Sequence, residues 1–434
     1  MVYHDVETAS RDDLRDLQDD RLQRTIQHVY DNVDFYRTKM DDAGVTPADV
    51  ESVADLSKLP FTTKEDFRDA YPDEHFAVPD AEIERIHASS GTTGKPKVVG
   101  YTANDLDVWS AVMGRSLATA GVTPDDTVQN AYGYGLFTGG LGIHTGCEDL
   151  GANVVPIGGG QTSRQIELLA DLGAEVYTST PSYALYLAEQ AEQEGYDPRE
   201  FALDTVVVGA EPCTEPMRAE IEDALDVTAL DIYGLSEIIG PGVSMECPEK
   251  DGLHVWEDHF YPEVIDPTTG EVLPDGEEGE LVLTCLTKEA VPTMRYRTGD
   301  LTTLHREQCD CGRTAVRMEH VTGRTDDMLV VRGVNLYPSE IESVVLEFDE
   351  IAPHYRIDLR REGRLDEIQI TLERDSTDQR DAIDGSDSTD LRERILSRLE
   401  TVLNFTPDAL TIVEPGGIER QETGKVKRVY DHRE

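Results

Sequence analysis

The runs Val154-Val155, Val176-Tyr177, Val206-Val207-Val208 and Leu230-Asp231-Ile232-Tyr233 are short and apolar, and helix-length stretches such as 161–172 and 182–194 lie between them. Strands this short and apolar are buried on both faces, and their alternation with helices predicts a parallel, doubly wound α/β sheet. The same texture covers about residues 84–235. Toward the N-terminus, residues 1–80 read as helices, with Leu14, Leu17, Leu22 and Ile26 roughly on one face. Beyond the core, about 252–320 alternate strands with turns such as Asp266-Pro-Thr-Thr-Gly270 and Leu273-Pro-Asp-Gly276. That pattern predicts a small antiparallel or barrel-like β unit.

The last hundred residues form a pattern of their own. Ser339-Glu340-Ile341-Glu342 reads as a capping box opening a helix with Ile341, Val344, Val345 and Phe348 on one face. Alternating strands follow at Tyr355/Ile357/Leu359 and Ile368/Ile370/Leu372, then a helix with Leu391, Ile395, Leu399 and Val402, then a strand at Leu410 to Val413. With a strand at 328–332 in front, the order is βαββαβ, a small α+β domain. The division expected is a large N-terminal domain, 1–325, and a small C-terminal domain, 326–434. Residues 375–390 hold six aspartates, spaced unlike a calcium loop, and read as a solvated loop.

The 434-residue chain carries 39 Lys+Arg against 88 Asp+Glu, a formal charge of −49. Nucleic acid and anionic membranes would repel it, so neither is expected as a partner. The acidic residues are spread along the whole chain, and only nine of the basic residues are lysine. Such a surface resembles proteins adapted to molar salt. Met1 to Arg15 lack a basic start followed by an apolar stretch, and no window approaches 18 apolar residues. Neither a signal peptide nor a membrane span is expected. Six scattered cysteines are too few for a disulfide framework. A reducing, cytoplasmic location is expected.

Four of the nine lysines fall at 95, 97, 425 and 427. The first two close the segment His87-Ala-Ser-Ser-Gly-Thr-Thr-Gly-Lys-Pro-Lys97. Its glycines let backbone approach an anion, and its hydroxyls and lysines donate to phosphate oxygens. The spacing is not that of the usual P-loop, because Gly91 and Gly94 are too close and Pro96 replaces the metal-binding hydroxyl. Composition alone also fits a plain surface loop; the concentration of scarce lysines favours phosphate.

At this point the chain resembles a family, the AMP-forming acyl-CoA synthetases among adenylate-forming enzymes. Besides SSGTTGKPK, it shows Gly209-Ala-Glu-Pro212, Asp231-Ile-Tyr-Gly-Leu-Ser-Glu237, Tyr296-Arg-Thr-Gly-Asp300, Gly323-Arg-Thr-Asp-Asp327 and Gly424-Lys425, in that order. Residues 132–142, 234–247, 256–267 and 332–342 resemble phenylacetate–CoA ligases in particular. The resemblance implies ATP, Mg²⁺ and coenzyme A as reactants or cofactors, with acyl-AMP made first and its acyl group passed to CoA.

It also implies roles. Ser89, Ser90, Gly91, Thr92, Thr93, Gly94 and Lys95 would cradle the departing phosphates. Glu237 would hold Mg²⁺, Asp300 the ribose hydroxyls, and Arg324 the ribose or phosphate. Gly209, Ala210, Glu211 and Pro212 would pack on adenine; Asp231, Tyr233, Gly234 and Ser236 would complete the nucleotide site. Lys425 would stand between acyl carboxylate and α-phosphate, where a cation lowers the cost of bringing two anions together. Gln421-Glu-Thr-Gly departs from the family's commoner proline-led approach to that lysine. Asp326 would be the hinge about which the small domain rotates between half-reactions. Each carboxylate and lysine also has an ordinary alternative, as a turn or solvated surface residue.

Tyr132, Tyr134, Phe137, Ala210, Ile232, Ile238 and Pro241 are candidates for an apolar slot suited to an aryl acid, phenylacetate first, with benzoates and indoleacetate open. The same residues also fit plain core. Cys309-Asp-Cys311 with Cys247 and His254 matches a Cys₃His structural zinc site, reduced free thiols being the alternative. Two other functions stay open: adenylation of a different acid or cofactor without CoA, and a non-catalytic nucleotide-binding scaffold. A homodimer is left open.

Overall fold

Five parallel strands form the half of a nine-stranded sheet that positions the site. In spatial order they are Asn153–Val155, Thr127–Asn130, Val176–Ser179, Thr205–Gly209 and Thr228–Leu235. Neighbouring residues on one strand serve opposite faces. Val207 packs with Trp109, Ile143 and Leu230, whereas Val206 and Val208 pack with Ile166, Leu187 and Ile221. Two apolar clusters on the two faces are what a doubly wound sheet requires, and they explain why its strands read as unbroken apolar runs. Helices Ala103–Thr119 and Gly139–Leu150 contribute to the first cluster; Thr162–Leu172, Pro181–Gln193 and Glu215–Leu225 contribute to the second. The computed structural model describes residues 2–88, 96–325, 329–331, 334–362, 365–375, 385–403, 405–420 and 426–433.

The turn-rich region 252–320 is not a self-contained unit. Phe260–Ile265, Gly279–Cys285, Tyr296–Thr302 and Gly323–Arg324 do make a separate four-stranded antiparallel sheet. Leu253–Val255, Arg317–Met318 and Leu304–His305, however, join Ile239–Glu246 as the antiparallel end of the nine-stranded sheet. Short hairpins leave their edges unpaired unless another sheet accepts them, and the large sheet supplies that edge.

The N-terminal helix Arg11–Asn32 buries Leu14, Leu22, Ile26 and Val29, and leaves Leu17 half-buried. It is also tied down by charge. Asp258 receives two bonds from Arg115 on Ala103–Thr119, at 2.7 and 3.2 Å, and pairs with Arg21 of the first helix at 3.6 Å. Burial alone would raise the Asp258 carboxyl, but His259 and the paired Arg115 hold it well below the usual carboxylate range.

In the small domain the βαββαβ order holds with two additions. The four-stranded sheet runs Ala409–Val413, Leu365–Arg374, Ile351–Glu362, Val429–Asp431, its outer strands parallel to their neighbours. The expected front strand, Leu329–Val331, pairs instead with Val334–Leu336 as a hairpin outside that sheet, and Val429–Asp431 fills the edge. Helix Pro338–Val345 starts one residue ahead of the expected cap. Proline is preorganised for a first helical position, and Glu340 reaches back to accept from Tyr337 N at 2.9 Å. Most of the aspartate-rich stretch lies outside the described residues; its end, from Gly385, already belongs to helix Gly385–Leu403. On that helix Leu391, Ile395 and Leu399 are buried, but Val402, near its end, is exposed.

Arg115→Ala is expected to destabilise the fold by about 3–5 kcal/mol, because it strands a buried carboxylate. The Asp258 contribution should be present above pH 3.8 and disappear as acid protonates the native carboxyl below that value. Urea unfolding of wild type and variant at pH 7 and near pH 3 checks both; equal stability at pH 7 would contradict the role given to this pair.

Candidate active site

In open α/β sheets ligands meet the carboxyl ends of the strands, where the strand order reverses. Here the reversal falls at Thr127–Asn130, flanked by Asn153–Val155 on one side and Val176–Ser179 on the other. The loop after Thr127–Asn130 carries Tyr132, whose buried hydroxyl donates to Ser179 O at 2.5 Å and lies 3.2 Å from Gly209 O. One side chain thus joins the carboxyl ends of three strands. Gly209 has no room for a side chain, since a Cβ there would stand 2.4 Å from Ile232 O. The next residue, Ala210, has φ 69°, which turns the chain sharply outward and presents residues 210–212 at the sheet's edge.

Glu237 follows the strand Thr228–Leu235 and is 4% exposed. Its carboxylate pairs with Lys97, and Tyr296 donates its hydroxyl to Oε1 at 2.7 Å. Burial would raise this carboxyl, but Lys97 and then Tyr296 outweigh it and hold the group below its usual value. The backbone is held equally firmly. Thr293 Oγ1 donates to Glu237 O at 3.0 Å and Lys288 Nζ to Ile238 O at 2.9 Å. Burial pushes the Lys288 ammonium down, and it lies 4.7 Å from the centre of the Tyr101 ring. The supporting roles of Tyr296, Lys288 and Thr293 were not foreseen. Tyr296 opens the quoted YRTGD segment, and Lys288 is one of only nine lysines, so both carried a signal.

Asp300, on the strand Tyr296–Thr302, faces Tyr233 from the other sheet. Tyr233 donates its hydroxyl to Oδ2 at 2.6 Å, and Arg324, the cross-strand neighbour of Asp300, pairs with Oδ1. The structure therefore brings Tyr233, Asp300 and Arg324 together, and the contact joins the nine-stranded and four-stranded sheets. Asp231 lies apart from that trio. Its carboxylate meets His320 Nδ1 at 3.0 Å, and Glu246 accepts its backbone N–H at 3.1 Å. Ser236 is buried, Gly234 lies on the strand Thr228–Leu235, and Pro212 is exposed.

The slot residues divide by exposure. Tyr132, Ile232 and Ile238 are buried, Pro241 is half-buried with its carbonyl accepting from Trp109 Nε1 at 2.9 Å, and Tyr134 and Phe137 are 37% and 38% exposed. The rings of Phe137 and Tyr132 close on Gly139, so this loop packs aromatic on glycine. Ser89, Ser90, Gly91, Thr92, Thr93, Gly94, Lys95, Asp326 and Lys425 lie outside the described residues. The segment preceding Ser89 is anchored: His87 Nδ1 lies 3.0 Å from Leu136 O, and Ala88 N donates to the same oxygen at 3.0 Å.

Cys247, His254, Cys309 and Cys311 converge, with all four ligand atoms within 4.8 Å of one another. Cys247 Sγ stands 3.8 Å from Cys309 Sγ, and Cys311 Sγ 3.4 Å from His254 Nε2. Cys311 is held below its usual value, chiefly by Cys247, with His254 and Arg313 assisting, while Cys247 and Cys309 are pushed up. The cluster joins the Ile239–Glu246/Leu253–Val255 hairpin to the loop between Leu304–His305 and Arg317–Met318, the outer end of the large sheet.

Residues 4–285 match the family model for AMP-binding enzymes, and 333–433 match that for the AMP-binding enzyme C-terminal domain. A phenylacetate–coenzyme A ligase from Thermus thermophilus is 52% identical over 100% of both chains, and one from Escherichia coli 49% identical over 99% of this chain and 97% of the other. The chain belongs to the phenylacetate–coenzyme A ligase family. Among solved structures, a 2-hydroxyisobutyryl-CoA ligase in the postadenylation state with 2-HIB-AMP superposes with TM-score 0.91 at 30% identity, covering 98% of this chain and 91% of the other. The same ligase in its thioesterification state, with CoA, gives only 0.71 at similar coverage, 99% and 91%. This family member is thus more similar overall to the first of these two structures than to the second.

Proposed function

We propose that this protein is an ATP-dependent ligase that activates an aryl carboxylic acid, phenylacetate foremost, as acyl-AMP and passes the acyl group to coenzyme A. The observation that carries this reading is the convergence of Glu237, Asp300, Tyr233 and Arg324 at the carboxyl edge of the sheet, in a chain 52% identical to a phenylacetate–coenzyme A ligase. Asp300 is suited to accept both ribose hydroxyls once a nucleotide displaces its present partners, because one carboxylate offers two acceptor oxygens. The loop 89–95 is proposed as the cradle for the β- and γ-phosphates. Glu237, an ionised carboxylate in a buried setting, fits Mg²⁺, a hard cation with oxygen ligands. When bound, the ion neutralises phosphate charge.

In the first half-reaction a carboxylate oxygen of the acid attacks the α-phosphorus, and pyrophosphate leaves. Lys425 offsets the charge that gathers on the α-phosphate. In the second half-reaction the CoA thiol gives up its proton and attacks the acyl carbon, and AMP departs. AMP is already a good leaving group, so no strong base is called for. The domain boundary at 325/326, with the hinge at Asp326, would allow Lys425 to withdraw between these steps. Tyr132, Phe137, Ile232 and Pro241 would border the ring of the acid.

The Cys₃His cluster is proposed to bind structural zinc. A tetrahedral ion with Zn–S of about 2.3 Å places two sulfurs roughly 3.8 Å apart, which is the Cys247–Cys309 separation. The evenly spread acidic surface is proposed as an adaptation to molar salt. A cytoplasmic location is proposed, in keeping with six free cysteines and the absence, among described residues, of a helix long and apolar enough to cross a membrane.

Lys425→Ala is expected to slow acyl-AMP formation by about 10²–10³, and thioester formation from supplied acyl-AMP far less. Rapid-quench measurement of each half-reaction decides; equal losses would contradict the two-state use of this lysine. Asp300→Ala should raise the ATP requirement in every assay, and an unchanged ATP dependence would remove it from the ribose. For the cluster, elemental analysis of protein purified without a metal-affinity column should find about one zinc per chain. Cys309→Ser should lower zinc content and thermal stability together, and freely titrating thiols in a zinc-free native protein would exclude the metal. Activity and thermal stability should both rise toward molar KCl, because the Debye length falls from about 10 Å at 0.1 M to about 3 Å at 1 M. Equal heat stability in dilute buffer would separate the acidic surface from salt adaptation.

A further inference from the structure

Glu211 carries out a task that its expected place on the adenine face does not explain. Its carboxylate is fixed at both oxygens. Ser182, in the first turn of helix Pro181–Gln193, donates its hydroxyl to Oε2 at 2.6 Å, and the backbone N–H of Val426 donates to Oε1 at 2.7 Å. The second donor comes from the other domain, from the residue that follows Lys425. A backbone N–H bonded to a carboxylate at this distance is a charge-assisted hydrogen bond, stronger than its neutral counterpart.

The segment around that contact is fastened on both sides. Downstream, Arg428 donates to Pro353 O at 3.0 Å and lies 4.5 Å from the centre of the Tyr355 ring. Burial works against the charge of Arg428, and Glu342, Tyr355 and Glu211 outweigh it. Upstream, Arg420 bonds both carboxylate oxygens of Glu373 in its own domain, at 2.9 and 2.7 Å, and reaches Glu189 of helix Pro181–Gln193 at 3.4 Å. The undescribed residues 421–425 are thus bracketed by two contacts to the N-terminal domain, Arg420–Glu189 and Val426–Glu211.

We propose that Glu211 is a positioning residue for acyl-AMP formation: oriented by Ser182, its carboxylate docks the amide of Val426, the residue after Lys425 in the sequence, on the N-terminal domain. The proposal rests on the role given to Lys425 above. A contact between two domains favours the arrangement in which it exists, by as much as its own free energy. The bond therefore stabilises the domain arrangement in which it exists relative to any arrangement that separates Glu211 from Val426.

The test measures both half-reactions in single-turnover experiments, acyl-AMP formation from phenylacetate and MgATP, and thioester formation from supplied phenylacetyl-AMP and CoA. Glu211→Ala should slow the first by about tenfold, the scale of one charge-assisted hydrogen bond, and the second by less than about twofold. Glu211→Gln keeps an acceptor for Val426 N–H and should restore most of the loss. Ser182→Ala, which leaves the carboxylate present but unoriented, should fall between them and supplies a second test should Glu211→Ala fold poorly. Equal slowing of both half-reactions, no slowing of the first, or a raised ATP requirement at unchanged maximal rate would overturn the proposal. Lys425→Ala, measured alongside, separates two failures. If it suppresses adenylation while Glu211→Ala does not, docking is wrong and the lysine's role stands; if it does not suppress adenylation, the underlying reading is wrong.

Discussion

The arrangement of the site depends on one buried carboxylate. Glu237 is nearly inaccessible to water, and an ionised group there costs several kcal/mol unless partners offset it. The groups that hold the carboxylate, Lys97 and Tyr296, and those that hold the backbone beside it, Lys288 and Thr293, come from different parts of the chain. Lys97 arrives from the segment after the glycine- and hydroxyl-rich loop, Tyr296 from the four-stranded sheet, and Lys288 and Thr293 from the connection between two strands of that sheet. Satisfying the carboxylate therefore fixes how the two sheets meet and where the chain entering Val98–Tyr101 must run. The Tyr233–Asp300–Arg324 contact spans the same junction and holds it at a second point.

A second constraint acts at the domain boundary, where several charged groups meet. Glu189 faces His354 at 3.3 Å and Arg420 at 3.4 Å, and Glu211 accepts the Val426 amide. An interface of ion pairs and single hydrogen bonds separates more readily than an apolar one, because water can replace each bond. That suits a domain proposed to occupy two positions. The apolar core of the small domain centres on Ile357, Ile370, Ile395 and Leu399, and at its margin Leu346 also packs against the second apolar cluster of the N-terminal domain.

Much of the fold was legible in the chain because it follows from periodicity. The apolar runs at 206–208 and 230–233 become adjacent parallel strands, with Val207 and Val208 serving opposite faces. The helix at 338–345 and the paired strands at 351–374 were equally clear. Edges were not. Leu253–Val255 and Arg317–Met318 are two or three residues long, too short to show which sheet accepts them, and the front strand of the small domain pairs in a hairpin that the pattern did not show. The cap lies two residues earlier than expected, at Tyr337, because Pro338 opens the helix before Ser339 can cap it.

By itself the sequence determined the doubly wound core, the two-part organisation, and the residue types a phosphate-handling carboxylate ligase needs, since these depend on local pattern and on motif order. It also marked Cys247, His254, Cys309 and Cys311 as a set. Only the tertiary structure decided which groups meet. It put Asp300 against Tyr233 but Asp231 against His320, and it revealed Tyr296 and Lys288 as the supports of Glu237. It also gave Glu211 a bond to Val426, 215 residues away. A hydrogen bond requires its atoms within about 3 Å, and that proximity is set by how sheets and domains pack, not by spacing along the chain.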